Sequence, residues 1–360
     1  MDAPQTQFFG RVESLRGLAA GMVAFGHIWG LQLVPADTLG FPSLLRMFSK
    51  GDHAVLMFFV ISGFVLFFSL QRLEQDASGA LRFLVARVFR IYPAAIAVVL
   101  LFAVVQIAMA WLEGQSSNIG FRDVVLNALL FRTDINGVMW TLQVELLAAP
   151  IIAAAYFAYR RFGVAALWTL FWIFTALSFV GKFNRIIGTP MLGFHAFMLG
   201  MIVAASGRDW FAKLSRSGAT AIFLGATIVF FGVSPVLGWT SHWGTIVAVF
   251  CSAVMVALAA FQGIGPGLNT SAARFFGRIS YSFYLLHPLV LCVLHLPVAA
   301  QIAARLVESG IPPSMVIVIV FVLSVLAIVP LAYLFLIKVE YPGIALGRRF
   351  FSPRPLTATR

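Results

Sequence analysis

Apolar runs long enough to cross a bilayer recur along this chain from Ala19 to Tyr333, and no other feature restricts its fold as much. Ten such runs are read, at roughly 15–34, 53–71, 91–112, 140–159, 163–181, 190–206, 218–236, 243–262, 280–298 and 314–338. In hydrocarbon the backbone N–H and C=O groups must be satisfied internally, so these runs predict helices and exclude an open sheet. The expectation is an all-α polytopic membrane protein with about ten transmembrane helices. Only 11% of the residues are charged and 61% are hydrophobic, a balance foreign to soluble domains. Cys251 and Cys292 both fall in apolar runs and read as packing residues, not as a disulfide framework.

Basic residues set the expected sidedness. The chain has 25 Lys and Arg against 13 Asp and Glu, a net charge of +12. With the N-terminus inside, only Arg46, Lys50, Arg122, Arg132, Lys182, Arg185 and Arg305 fall outside, and the other 18 face the cytoplasm. This bias predicts that both termini are cytoplasmic. Cytoplasmic loops and anionic headgroups then account for the charge, so no nucleic acid partner is expected. The first run lacks a small-residue cleavage site, so no signal peptide is read there. Residues 1–345 are read as one membrane domain and 346–360 as a basic cytoplasmic tail. The loop from Glu113 to Val138 holds a half-apolar piece, Val124–Phe131, which is too short to span and reads as re-entrant or interfacial.

Arg16 and His27 stand eleven residues apart in the first run. On an α-helix that spacing returns the second side chain to within ~20° of the first, ~16 Å further along the axis. An ionisable residue at membrane depth is costly and marks a functional site by default. Glu13, Arg16, Ala20, Val23, Ala24 and His27 share this face, with only small side chains between cation and imidazole. The residues alone leave two readings open. His27 is either a base or a buried histidine satisfied by a neighbouring helix; Arg16 is either an anion ligand or a positive-inside anchor. Gly17 and Gly21, on the adjacent face, read as a close helix contact.

Five further stretches follow in order. They are Phe58-Phe59-Val60-Ile61-Ser62-Gly63-Phe64, Arg87-Val88-Phe89-Arg90-Ile91-Tyr92-Pro93 and Trp140-Thr141-Leu142-Gln143-Val144-Glu145, then the run from Gly277 to Pro288 (GRISYSFYLLHP) and Glu340-Tyr341-Pro342. With Arg16-x10-His27 they resemble, from first run to last, the acyltransferase 3 family of membrane acyltransferases. One departure is visible. Many members carry an acidic residue two positions before the Phe pair; here it is Leu56, so no catalytic carboxylate is assigned to that site.

The resemblance implies an O-acyltransferase of the bacterial inner membrane. Acyl-CoA, most simply acetyl-CoA, is the expected co-substrate, with no permanently bound cofactor, and a glycan or lipid-linked sugar is the expected acceptor. His27 is the catalytic candidate, as general base or acyl relay, with Glu145 as the second. Arg16, Arg87, Arg90 and Arg278 are the candidates for coenzyme A phosphates, because paired N–H donors match phosphate oxygens. Pro93 is expected to break a helix start and turn Arg87 and Arg90 inward. Trp140, Ser280, Tyr284 and His287 are the candidate substrate-binding residues. Glu145 has three open readings: orienting His27, binding an acceptor hydroxyl, or pairing with an arginine. Ser280 and His287 lie ~10 Å apart along one helix, too far for a nucleophile pair, so His287 is expected in a polar helix contact or a cavity wall. No HxxxH, clustered Cys or carboxylate group argues for a metal. A transporter for a lipid-linked sugar uses similar residues, but it shows repeats and mid-span breaks. No repeat is visible, and the prolines read as clustered at span ends.

Overall fold

The computed structural model describes residues 9–34, 42–73, 76–180 and 193–351. All regular structure among them is helical. The helices are α1 (Gly10–Gly30), α2 (Pro42–Phe48), α3 (Gly51–Gln71), α4 (Ala77–Leu112), α5 (Phe121–Ala128), α6 (Trp140–Phe162), α7 (Val164–Ser178), α8 (Phe194–Trp210), α9 (Arg216–Leu237), α10 (His242–Phe261), α11 (Ser271–Leu286), α12 (Pro288–Leu294), α13 (Pro297–Glu308), α14 (Pro313–Phe335) and α15 (Tyr341–Phe351). Their starts carry the expected caps: Asp76, Ser215, Ser241 and Thr270 each accept a hydrogen bond from a first-turn N–H.

Six segments are long and apolar enough to cross a membrane: Leu45–Gln71, Ala77–Leu112, Gly137–Phe162, Arg216–Leu237, His242–Phe261 and Pro313–Arg348. The pair α11 and α12, bent by 48° at the His287–Pro288 junction, meets the same test only when taken together, as a broken span or a re-entrant loop. The remaining three expected runs form helices that fall short of this test. α1 is 21 residues long but carries Arg11, Glu13 and Arg16, while α7 has 15 residues and α8 has 17. Lys182 and Arg185, the start of the expected 190–206 run, and the tail with Arg354 and Arg360 lie outside the described residues.

Two expectations about proline are corrected. Pro93 does not break a helix start. It sits inside the 36-residue α4, and Arg87 and Arg90 are part of the same helix. Prolines also stand inside α6 (Pro150) and α14 (Pro330), away from span ends. A helix in lipid tolerates a proline because neighbouring groups re-satisfy the freed carbonyl.

Glycines let the central helices meet at backbone distance. A methyl group on Gly63 (α3) would lie 2.0 Å from the Phe197 carbonyl oxygen of α8, and one on Gly200 (α8) 2.0 Å from the Val60 oxygen of α3. The same holds for α1 and α11, where Gly17 faces Gly277. Without a hydrophobic drive between helices in lipid, such small-residue seams are what hold them together. Between them packs one continuous core that includes Phe59 stacked on Phe197 at 4.6 Å. These seams pair α3 with α8 and α1 with α11, and α1, α3, α4, α6 and α11 together enclose a central void.

Candidate active site

At one end of the void lies a cavity of about 190 Å³ lined by Arg16, Ser62, Arg87, Arg90, Glu145 and Tyr281. The α4 arginines are held by carboxylates. Arg87 Nη2 is 2.8 Å from Glu145 Oε2, and Arg90 Nη1 is 2.5 Å from Glu340 Oε1. Glu340 is buried and also accepts from the Ser282 hydroxyl at 2.8 Å. A π-helical turn, Leu336–Glu340, carries it. Such turns widen a helix by one residue and recur at functional sites. Arg90 lies over the Tyr281 ring at 4.9 Å. Arg16 has no ion pair and no side-chain hydrogen bond among the described residues, so its N–H donors face the cavity. The buried Tyr281 hydroxyl likewise has no partner there.

At the other end is a cavity of about 580 Å³, lined by His27, Lys50, Leu56, Trp140, Trp239 and Tyr284 among others. Lys50 pairs with Asp52 at 3.1 Å and donates to the Trp239 carbonyl. Arg46 stands 4.1 Å from the centre of the Trp239 ring. A neck of about 20 Å³ lies between the two cavities. It shares Arg16, Glu145 and Tyr281 with the arginine cavity and Val55, Phe59 and Tyr284 with the large one. α1 runs unbroken alongside, with Arg16 at the first cavity and the neck and His27 at the second.

His27 makes its protein contact across to α11. Its Nδ1 lies 2.8 Å from His287 Nε2, with the rings stacked at 5.0 Å and 14°. His287 Nδ1 lies 2.7 Å from the Tyr284 carbonyl oxygen. His27 is exposed where it meets the large cavity, whereas His287 is buried. The expected polar helix contact of His287 is therefore present, and its partner is His27.

The segment 113–139 braces this arrangement. The piece read as re-entrant or interfacial does contain a helix, α5. Arg132 clasps Asp123 at 2.8 Å and Asp134 at 2.7 Å, and Asn127 donates to Asp134 at 3.1 Å. Burial works against the charged form of Asp134, but the hydrogen bonds from Asn127 and Arg132 outweigh it and hold its carboxyl below the usual range. The segment then docks on α11. Asn136 donates to the Leu285 carbonyl at 3.0 Å, and the Tyr284 hydroxyl donates to the Val138 carbonyl at 3.1 Å.

Of the residues expected at the site, Arg16, Arg87, Arg90 and Glu145 share the arginine cavity, while His27, Trp140 and Tyr284 share the large one. Glu145 contacts Arg87, and the group on His27 is His287. Arg278 is exposed and lines neither cavity. Ser280 is buried, its hydroxyl without a partner, and also lines neither. Leu56, at the position that is acidic in many relatives, is a buried part of the large cavity wall. Two residues of the arginine end were not singled out from sequence, Tyr281 and Glu340. Each lies inside a family-like stretch, and a carboxylate beside a proline at the end of an apolar run was the available signal for the second.

Comparison with known proteins identifies the family of the chain. A family model described as an acyltransferase domain, acyltransferase 3, matches residues 9–333. A protein of Acidianus two-tailed virus named "Putative acetyltransferase ORF330" is 25% identical over 295 residues, covering 79% of this chain and 84% of the viral protein. No solved structure matches the chain.

Proposed function

This chain belongs to the acyltransferase 3 family, and from that premise we propose that it is an integral membrane O-acyltransferase taking an acyl group, in our reading acetyl, from cytoplasmic acyl-CoA to a hydroxyl of a glycan or lipid-linked sugar on the far side. One observation carries the reading: two cavities meet end to end through a narrow neck, with Arg16 at one and His27 at the other on the same helix. In this reading the chain crosses a bacterial inner membrane ten times with both termini inside, which puts the arginine cavity at the cytoplasmic face. Arg16 offers free donors to the phosphates of coenzyme A, and Arg87 and Arg90 add charge as phosphate oxygens compete with Glu145 and Glu340. In this reading the thin pantetheine arm of coenzyme A passes through the narrow neck of about 20 Å³.

The thioester then lies beside His27 in the large cavity. His27 takes the proton of the acceptor hydroxyl as that oxygen attacks the thioester carbon. The C–S bond breaks, and the departing thiolate recovers the proton from the imidazolium. Trp140 and Trp239 supply flat apolar faces of the kind that hold a sugar ring.

The test is acyl transfer by the purified protein in nanodiscs, with radiolabelled acetyl-CoA and a panel of free oligosaccharides and polyprenyl-linked sugars. His27→Ala is expected to abolish transfer while the protein still inserts and elutes as a single species. A His27→Ala protein that still transfers the label would falsify the assignment.

A further inference from the structure

The run Tyr284-Leu285-Leu286-His287-Pro288 contains a proton-ordering device. An α-helical carbonyl normally accepts from the N–H four residues on. For Tyr284 that residue is Pro288, which has no N–H. The chain bends there by 48°, and the orphaned Tyr284 oxygen is taken by His287 Nδ1 at 2.7 Å. A carbonyl oxygen only accepts, so His287 Nδ1 must carry the hydrogen. Neutral His287 then presents a bare Nε2. That nitrogen lies 2.8 Å from His27 Nδ1, which must therefore be the donor. Neutral His27 is left with its hydrogen on Nδ1 and its lone pair on Nε2. No protein group among the described residues bonds that second nitrogen, and the residue lines the large cavity.

We propose that His287 is a positioning residue that, locked by Pro288 and the Tyr284 carbonyl, fixes His27 as the Nδ1–H tautomer with a bare Nε2 facing the acceptor. The proposal rests on the reading of His27 as the general base. Tautomer and ring angle are then set before substrate arrives, and the imidazolium formed during transfer keeps a ready acceptor at Nδ1. No proton need move along the relay, because His27 takes the hydroxyl proton on Nε2 and returns it to the leaving thiolate. The device also gives the outer segment a role. Asn136 holds the Leu285 carbonyl and Val138 the Tyr284 hydroxyl, on the residue that bears the freed carbonyl and the one after it.

The direct test needs no substrate. In protein labelled with 15N-histidine and held in nanodiscs, at a pH where His27 is neutral, its signals, identified by their loss in His27→Asn, are expected to show Nδ1 protonated and Nε2 bare. Finding Nε2 protonated instead overturns the proposal. Kinetics supply the second arm, with acetyl-CoA and the oligosaccharide panel. His287→Leu, which removes the acceptor, is expected to lower kcat by about 10²-fold or more with the KM for acetyl-CoA unchanged. His287→Gln, whose carbonyl oxygen can take the Nδ1–H, is expected to recover most of that loss. If His287→Leu keeps a normal kcat, or Gln does no better than Leu, the positioning role is wrong even though His27→Ala is inactive. An active His27→Ala protein, by contrast, sinks the reading of His27 beneath it.

Discussion

Replacing Gly277 with alanine should disable the enzyme from the far end of the helix that carries His287. α1 and α11 touch through Gly17 and Gly277. A methyl group on Gly277 would lie 2.4 Å from the Glu13 carbonyl oxygen, and one on Gly17 2.8 Å from the Gly277 nitrogen. Both neighbours are backbone and cannot rotate aside. Relieving the first clash to ordinary contact requires the helices to part by about 1 Å, since cores transmit such strain rather than absorb it. Carried to the other end of the seam, that movement stretches the 2.8 Å His27–His287 contact to about 3.8 Å, past the limit of a hydrogen bond. A misplacement of this size costs on the order of 10²-fold in rate. The control is Gly21→Ala on α1, facing the same α11, where the added methyl meets only the Phe276 ring at 3.6 Å. Thiol release from acetyl-CoA in nanodiscs, with thermal melts for folding, gives both numbers. Should Gly277→Ala run as fast as Gly21→Ala, the seam does not set the histidine geometry and the reasoning fails.

Two other substitutions probe the arginine cavity. Tyr281→Phe removes a buried hydroxyl that has no partner among the described residues, so the melting temperature should hold or rise, because an unpaired buried polar group costs ~1–3 kcal/mol. The same change should raise the KM for acetyl-CoA several-fold; an unaltered KM would mean the hydroxyl does not meet the donor. Glu145→Gln frees Arg87 from its 2.8 Å pair. It should lower the melting temperature while tightening acetyl-CoA binding, as measured by isothermal titration, and leave kcat within an order of magnitude. A complete loss of kcat with normal binding would instead make Glu145 a catalytic group.

The helices were legible because apolar runs in lipid have one backbone solution. Sequence identified Arg16 and His27 as marking the two ends of one helix face, and the cavities lie beside that helix. The break at Pro288 was less legible. The dipeptide is visible, but its effect depends on whether some side chain captures the freed carbonyl, and His287 does so only because it stands one residue before the proline. The His27–His287 contact joins residues 260 positions apart, and no local period encodes it. Arg278 shows the opposite limit. It lies in a family-like stretch as Arg87 and Arg90 do, yet it is exposed, while Gly277 beside it faces the α1 seam.

The neck between the cavities has an electrical consequence. A protein with charged basins reaching in from both faces of a membrane invites a continuous file of water, and with it a proton leak that would discharge the cell. The neck holds about 20 Å³, room for about one water molecule, walled by Val55, Phe58, Phe59 and Leu142 together with the polar Arg16, Thr141, Glu145, Tyr281 and Tyr284. In the proposed arrangement so small a space interrupts the file of water between the two basins. When a thin acyl-bearing arm fills the neck, it displaces that water. In the proposed function the passage that admits the donor is thus also plugged by it, which would keep the membrane potential both with and without donor.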